Sequence, residues 1–273
     1  MRTFGRKEDV INTKEKSLRG NNGGGGKGKL FVVGIGPGGR ADRTHRAEDA
    51  IRQSDCIVGY QRYLDNIADL TQGKELISSG MTQETDRCRE ALKKVSEGRV
   101  VALISSGDAG VYGMSGLAIE LAKEDGLELP IEVVAGVTAA CAAGARLGAP
   151  LMLDHAVISL SDLLVPWEKI KKRLEAVAEA DMVVALYNPK SKKRVEQLNE
   201  AAEIFLRHRS SETPVGVCTS VGYEGEEKIV QSNLGSFLKE EIGMMTIVVI
   251  GNSQSVRMGD WFVTPRGYKG KRF

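Results

Sequence analysis

Three glycine-rich stretches, each directly after an apolar run, hold the residue types best able to seat a small ligand against backbone atoms. They are Gly34-Ile35-Gly36-Pro37-Gly38-Gly39, Ser105-Ser106-Gly107-Asp108-Ala109-Gly110-Val111-Tyr112-Gly113 and Val134-Ala135-Gly136-Val137-Thr138-Ala139-Ala140. The first has the spacing of a dinucleotide loop, in which bare amides and a helix N-terminus approach a pyrophosphate. Pro37 changes that chemistry, because it has no N–H to offer and its fixed φ stiffens the turn. A dinucleotide site also calls for an acidic residue about 20 positions on, at the end of the second strand. Positions 58–62 read Val-Gly-Tyr-Gln-Arg, with no acid. Asp108 reads either as an N-cap for a helix from Ala109 onward or as a ligand contact. Thr138 likewise either caps a helix running through Leu147 or leaves helix N–H groups open to a ligand.

A fourth stretch, Tyr187-Asn188-Pro189-Lys190-Ser191-Lys192-Lys193-Arg194, ends an apolar run with a polar turn and opens what reads as a basic helix start. Cations there oppose the helix dipole, so an anionic ligand is one reading and a solvated face the other.

The elements that must position these loops follow from hydrophobic period. Strands are expected at 30–33, 56–58, 75–77, 100–104 and 131–134, with helices at 43–53, 82–97 and 115–124 between them. That alternation indicates a mainly parallel α/β sheet. After Gly148-Ala149-Pro150 a second series is expected, with strands at 156–160, 182–186, 215–219, 228–232 and 246–250 and helices at 167–179 and 192–208. Its consecutive strands suggest a mixed sheet. The expected organisation is a tail at 1–29, an N-terminal α/β domain at 30–150 and a C-terminal α/β domain at 151–273, with the ligand cleft between the two domains. Residues 1–29, rich in Lys, Arg, Asn and Gly, read as a disordered tail rather than a secretory signal, having no apolar core after the charges.

Composition excludes several classes. The 38 Lys+Arg against 36 Asp+Glu leave a net charge of +2 over 273 residues, which argues against a general polyanion partner such as nucleic acid. No apolar run is long enough for a bilayer. Cys56, Cys88, Cys141 and Cys218 are far apart and form no C-x-x-C pair, as expected of reduced, buried thiols in a cytoplasmic protein. The three histidines have no metal spacing, and no metal site is expected. His45 and His208 read as surface residues, and His155, after Asp154, as a linker hydrogen bond or an acid–base group.

Taken in order, the three loops resemble the tetrapyrrole methylase family, whose members methylate uroporphyrinogen and precorrin macrocycles with S-adenosylmethionine. The matching residues are Gly34-Ile35-Gly36-Pro37-Gly38, Gly107-Asp108-Ala109 with Val111, and Thr138-Ala139. Ala109 stands where the family has proline. Within the family the chain is most similar to the ring-contracting precorrin-3B 17-methyltransferases, through 158–167 (Ile-Ser-Leu-Ser-Asp-Leu-Leu-Val-Pro-Trp), Leu186-Tyr187-Asn188-Pro189, 246–252 (Thr-Ile-Val-Val-Ile-Gly-Asn) and Thr264-Pro265-Arg266-Gly267-Tyr268. Leu153-Asp154-His155 departs from the family, which places a polar residue, Asp and an aromatic there.

The resemblance implies a class III methyltransferase fold, a homodimer, and S-adenosylmethionine held by Pro37, Ser106, Gly107, Asp108, Val111, Thr138, Ala139, Tyr187, Asn188, Thr246 and Ile247. It implies a precorrin or cobalt-precorrin substrate methylated at carbon 17 with loss of the bridging carbon. Gly36, Gly38, Arg40, Arg43, Lys190 and Lys192 are the expected substrate contacts, the cations facing its acetate and propionate groups together with Lys193 and Arg194. Removal of the proton from the carbon-20 hydroxyl falls to Asp108, Asp154, His155 or Tyr187. Three alternatives stand beside this reading: a family member acting on another precorrin or on RNA, a nicotinamide-dependent oxidoreductase, and a tetrapyrrole carrier without catalysis.

Overall fold

The computed structural model describes residues 28–80 and 82–268. The expected tail lies almost entirely outside these residues. The first sheet is built from β1 (Lys29–Gly34), β2 (Cys56–Tyr60), β3 (Glu75–Ser79), β4 (Val100–Ser105) and β5 (Ile131–Val134). All its pairings are parallel, in the order β3-β2-β4-β1-β5. Helices α1 (His45–Gln53), α2 (Gln61–Asp65), α3 (Glu84–Ser96) and α4 (Ser115–Glu124) make the crossovers. Central strands read as unbroken apolar runs because both faces are covered. Leu30, Val32, Val58 and Leu103 face one buried cluster; Phe31, Val33, Ile57 and Ile104 face the other.

The second sheet holds β7 (His155–Ser159), β8 (Val183–Tyr187), β9 (Pro214–Thr219), β10 (Lys228–Asn233) and β11 (Thr246–Ile250) in the order β10-β9-β11-β8-β7. Only β7 and β8 are parallel; the other pairings are antiparallel, so the sheet is mixed as expected. Helices α6 (Trp167–Glu179) and α7 (Glu196–His208) cover one face. The other is covered by α5 (Ala139–Leu147), whose Ala140, Ala143 and Leu147 pack on Val183, Ala185, Cys218 and Val249. Helix α5 thus precedes the expected break at 150 in sequence yet packs with the second sheet.

A small third sheet, β12-β13-β6, joins β6 (Gly148–Ala149) to β12 (Val256–Met258) and β13 (Trp261–Val263). Its strands are too short for periodicity to reveal. Among the described residues, no helix is long and apolar enough to cross a membrane.

Helix α7 begins at Glu196, not Lys192. The basic stretch is therefore a loop, and its charges do not oppose a helix dipole. Arg194 holds that loop in place: its buried guanidinium donates to the carbonyls of Leu160 (3.1 Å) and Asn188.

Candidate active site

In a parallel sheet the carboxyl ends of all strands share one edge, and the loops leaving β1, β4 and β5 accordingly meet. Gly36 and Gly107 form a two-way bridge, Gly36 N–H to Gly107 O at 3.0 Å and Gly107 N–H to Gly36 O at 2.7 Å. Asp108 ties in the third loop. Its Oδ1 accepts the Gly110 N–H at 2.8 Å, and its Oδ2 accepts the Gly136 N–H at 3.0 Å. Gly136 must be glycine for this closeness, since a Cβ there would lie 2.2 Å from Gly107 O.

These contacts close the phosphate cradle. The amides of Gly36 and Gly107 are aimed at each other, Pro37 has none, and the next α-helix does not start until His45, capped by Thr44. Asp108 is not an N-cap either, because α4 begins only at Ser115.

The second sheet presents its own edge to these loops. β8 and β9 end there, and β11, running antiparallel to both, begins there, with Thr246 paired to Thr219. The two edges enclose a cavity of about 180 Å3. Around it lie Pro37 from the first loop, Ser106, Gly107, Asp108 and Val111 from the second, and Thr138 and Ala139 from the third. Tyr187, Asn188, Thr246 and Ile247 come from the second sheet, so every residue expected around a methyl donor is brought to one cavity. Sequence reasoning missed Tyr63, Tyr112, Ser220, Val221, Met244 and Met245, which complete the wall.

Three tyrosines shape the chamber. The Tyr187 hydroxyl lies 2.5 Å from Thr138 Oγ1 and accepts the Ala140 N–H at 2.8 Å. It does the capping expected of Thr138, whose own side chain makes no cap bond. Tyr112, at φ +52°, reaches from the second loop to β7, donating to Val157 O (3.2 Å) and accepting the Ser159 N–H (3.0 Å). Its ring leans on Tyr187, with centroids 5.2 Å apart. Burial raises all three phenols, Tyr63, Tyr112 and Tyr187, above the ordinary tyrosine value. Asn188 and Ser220 also hold positive φ, +48° each. Left-handed backbone at three non-glycine wall residues is the kind of local strain that functional sites retain.

Among the described residues, the wall carries one formal charge, the Asp108 carboxylate, and no Lys, Arg or His. A pyrophosphate finds no counter-charge here. A cation finds a carboxylate and aromatic faces.

Several expected site residues lie elsewhere. Asp154 and His155 are exposed at the start of β7, four residues and about 13 Å from its site end, and His155 Nδ1 pairs with Leu153 O. Tyr187 lines the cavity but is held protonated with its hydroxyl engaged, which suits a fixture rather than a proton acceptor. Both Asp108 oxygens are likewise engaged by backbone N–H groups. Gly36 and Gly38 are buried and are not in this wall, and a Cβ at Gly38 would lie 2.3 Å from the Gly222 backbone. The Arg43 side chain is buried in a two-bond pair with Asp69 (3.0 and 2.9 Å). Arg40, Lys190, Lys192 and Lys193 do not reach this cavity, and Arg194 is buried on carbonyls. Cys141 is exposed, not buried like the other three cysteines.

The family model for tetrapyrrole (corrin/porphyrin) methylases matches residues 29–238. The chain belongs to the tetrapyrrole methylase family. It is 50% identical over 251 residues to a cobalt-factor III methyltransferase of Priestia megaterium, covering 90% of this chain and 46% of that protein. A probable cobalt-factor III C(17)-methyltransferase of Salmonella typhimurium is 43% identical, over 88% of this chain and 99% of the relative. This methylase chain thus spans about half of the first relative and nearly all of the second. The solved structure of the methyltransferase CobJ superposes with a TM-score of 0.80 at 33% identity, over 87% of this chain and all of that one. The fold is the class III methyltransferase fold of the tetrapyrrole methylases.

Proposed function

We propose that the protein is an S-adenosylmethionine-dependent methyltransferase that methylates carbon 17 of cobalt-factor III, or its metal-free counterpart, with ring contraction, in cobalamin biosynthesis. The observation that carries this reading is the cavity's charge: one carboxylate, three tyrosines and no cation, built on loops whose amides are closed to phosphate. That is the reverse of a dinucleotide site and suits a sulfonium. The names of the relatives favour the cobalt form, the metal being part of the substrate.

S-adenosylmethionine supplies a methyl group on sulfur that is already activated for displacement. The protein's share is then position and dryness. Pro37, Val111, Val221 and Ile247 give apolar wall, while Asp108 fixes the second and third loops against each other. Tyr187 and Tyr112 fix both loops to the second sheet, so the walls keep their spacing. S-adenosylmethionine held between these walls would supply the methyl group to carbon 17 and leave as the neutral thioether, with the macrocycle releasing one proton. Walls held by hydrogen bonds from two sheets limit the geometries in which those atoms meet.

Incubation with cobalt-factor III and methyl-carbon-13 S-adenosylmethionine tests the reading. The expected product gains one labelled methyl, with its carbon-13 resonance coupled into ring D at carbon 17. Label on another ring position, or none with either the cobalt or the metal-free macrocycle, contradicts it.

A further inference from the structure

A second cavity, of about 420 Å3, adjoins the first and shares Tyr112 and Asn188 with it as a common wall. Its character is different. Ile158, Val165 and Ile170 form the floor, and Leu163 and Leu164, 78% and 91% exposed, stand over it on the loop between β7 and α6. Two adjacent bare leucines offer an apolar face that a flat apolar ligand can cover. Of the cations along α6, only Arg173 faces this space. Among the described residues, no hydrogen bond or ion pair holds its guanidinium. Glu84, at the start of α3 on the other lobe, borders the same cavity but is not paired with it.

We infer that this cavity receives the carboxylate-bearing edge of the macrocycle, its ring face against Leu163 and Leu164 and a peripheral acetate or propionate on Arg173. The inference rests on the tetrapyrrole reading above and assigns a substrate-positioning cation outside the basic loop at 190–194. A uroporphyrin-derived ring has apolar faces and an anionic rim, and the cavity offers an apolar cover with one unengaged guanidinium at its edge. Continuity with the first cavity through Tyr112 and Asn188 places the ring beside the donor. A guanidinium matches a carboxylate with two parallel bonds, which an ammonium does not. Glu84 repels a second carboxylate on the opposite side and so selects which edge enters.

Steady-state kinetics of wild type, Arg173→Gln and Arg173→Lys with cobalt-factor III, beside calorimetry with S-adenosylhomocysteine, test this. Arg173 is exposed, and its replacement leaves the core untouched. Loss of a charge-assisted pair raises KM for the macrocycle about ten- to a hundredfold in Arg173→Gln, with kcat retained. Arg173→Lys falls between, and affinity for S-adenosylhomocysteine is the same in all three. An unchanged KM in Arg173→Gln overturns the inference, as does a parallel loss of S-adenosylhomocysteine affinity. A wild type that binds S-adenosylhomocysteine but does not methylate the macrocycle overturns the tetrapyrrole reading instead, and the inference with it.

Discussion

The hydroxyl of Tyr187, at the end of a strand in the second sheet, accepts the backbone N–H of Ala140 at 2.8 Å and so caps the helix that follows the third loop of the first sheet. One phenol therefore fixes the spacing between the two walls of the cavity. Tyr187→Phe keeps the ring and removes the cap and the pair with Thr138. The expected cost is about 1–2 kcal/mol in urea unfolding, since a buried N–H loses its partner. Affinity for S-adenosylhomocysteine falls as well. Unchanged stability would show that the cap carries no weight.

Asp108 uses each carboxylate oxygen on a different backbone N–H. Asn cannot replace it, because its amide would turn an N–H toward one of those two donors. Asp108→Asn and Asp108→Ala are both expected to weaken S-adenosylhomocysteine binding by at least about tenfold, the scale of one lost charge-assisted bond. Calorimetry reads the difference. Wild-type affinity in Asp108→Asn would mean that loop closure does not depend on the second oxygen.

Gly38 lies where the first loop meets Gly222, with the Gly39 N–H donating to Gly222 O at 2.7 Å. An alanine methyl at 38 has no space, and the two lobes must separate to admit it. Gly38→Ala is expected to cost about 1–3 kcal/mol through overpacking and to weaken donor-analogue binding. Thermal unfolding and calorimetry on one preparation check both. Wild-type values in both would show that the lobes are not held by this contact.

Burial pushes the thiols of Cys56 and Cys88 up to about 11 and that of Cys218 up to about 12, from an ordinary 9.0. Each folded-state value is raised, so their contribution to stability is complete below 9.0 and is lost as the pH climbs through about 11 to 12. Urea midpoints should hold level to pH 9 and then decline. At pH 8 a thiol reagent should label exposed Cys141 rapidly and the other three only on unfolding. Rapid labelling of a second thiol in the folded protein would contradict their burial.

Much of this was legible in the sequence because strand ends in α/β sheets are marked by glycine and small polar residues. The loops at 34–39, 105–113 and 134–140 stood out as ligand loops by their pattern, while the seven wall residues they hold, from Pro37 to Ala139, followed from the family resemblance. Tyr63 and Tyr112 were harder: one sits on a single helical turn, and the other is aimed by a positive φ that no local pattern specifies. Met244 and Met245 precede a strand, and β11, running antiparallel, brings its beginning to the site edge. Charge along a sequence does not say which way a side chain points. Arg194 turned inward onto carbonyls, and Arg43 onto Asp69. The cation that does border a cavity near the site, Arg173, lies in a helix whose composition is ordinary.

The cavity between the lobes is proposed to take a sulfonium donor and to be closed to a pyrophosphate. Calorimetric titration of the wild-type protein with S-adenosylmethionine and, separately, with NAD distinguishes the two ligands. One S-adenosylmethionine is expected to bind per chain, greatly weakened by Asp108→Ala, with no heat from NAD. Saturable NAD binding at this cavity, or no binding of S-adenosylmethionine to a folded wild type, would overturn that reading.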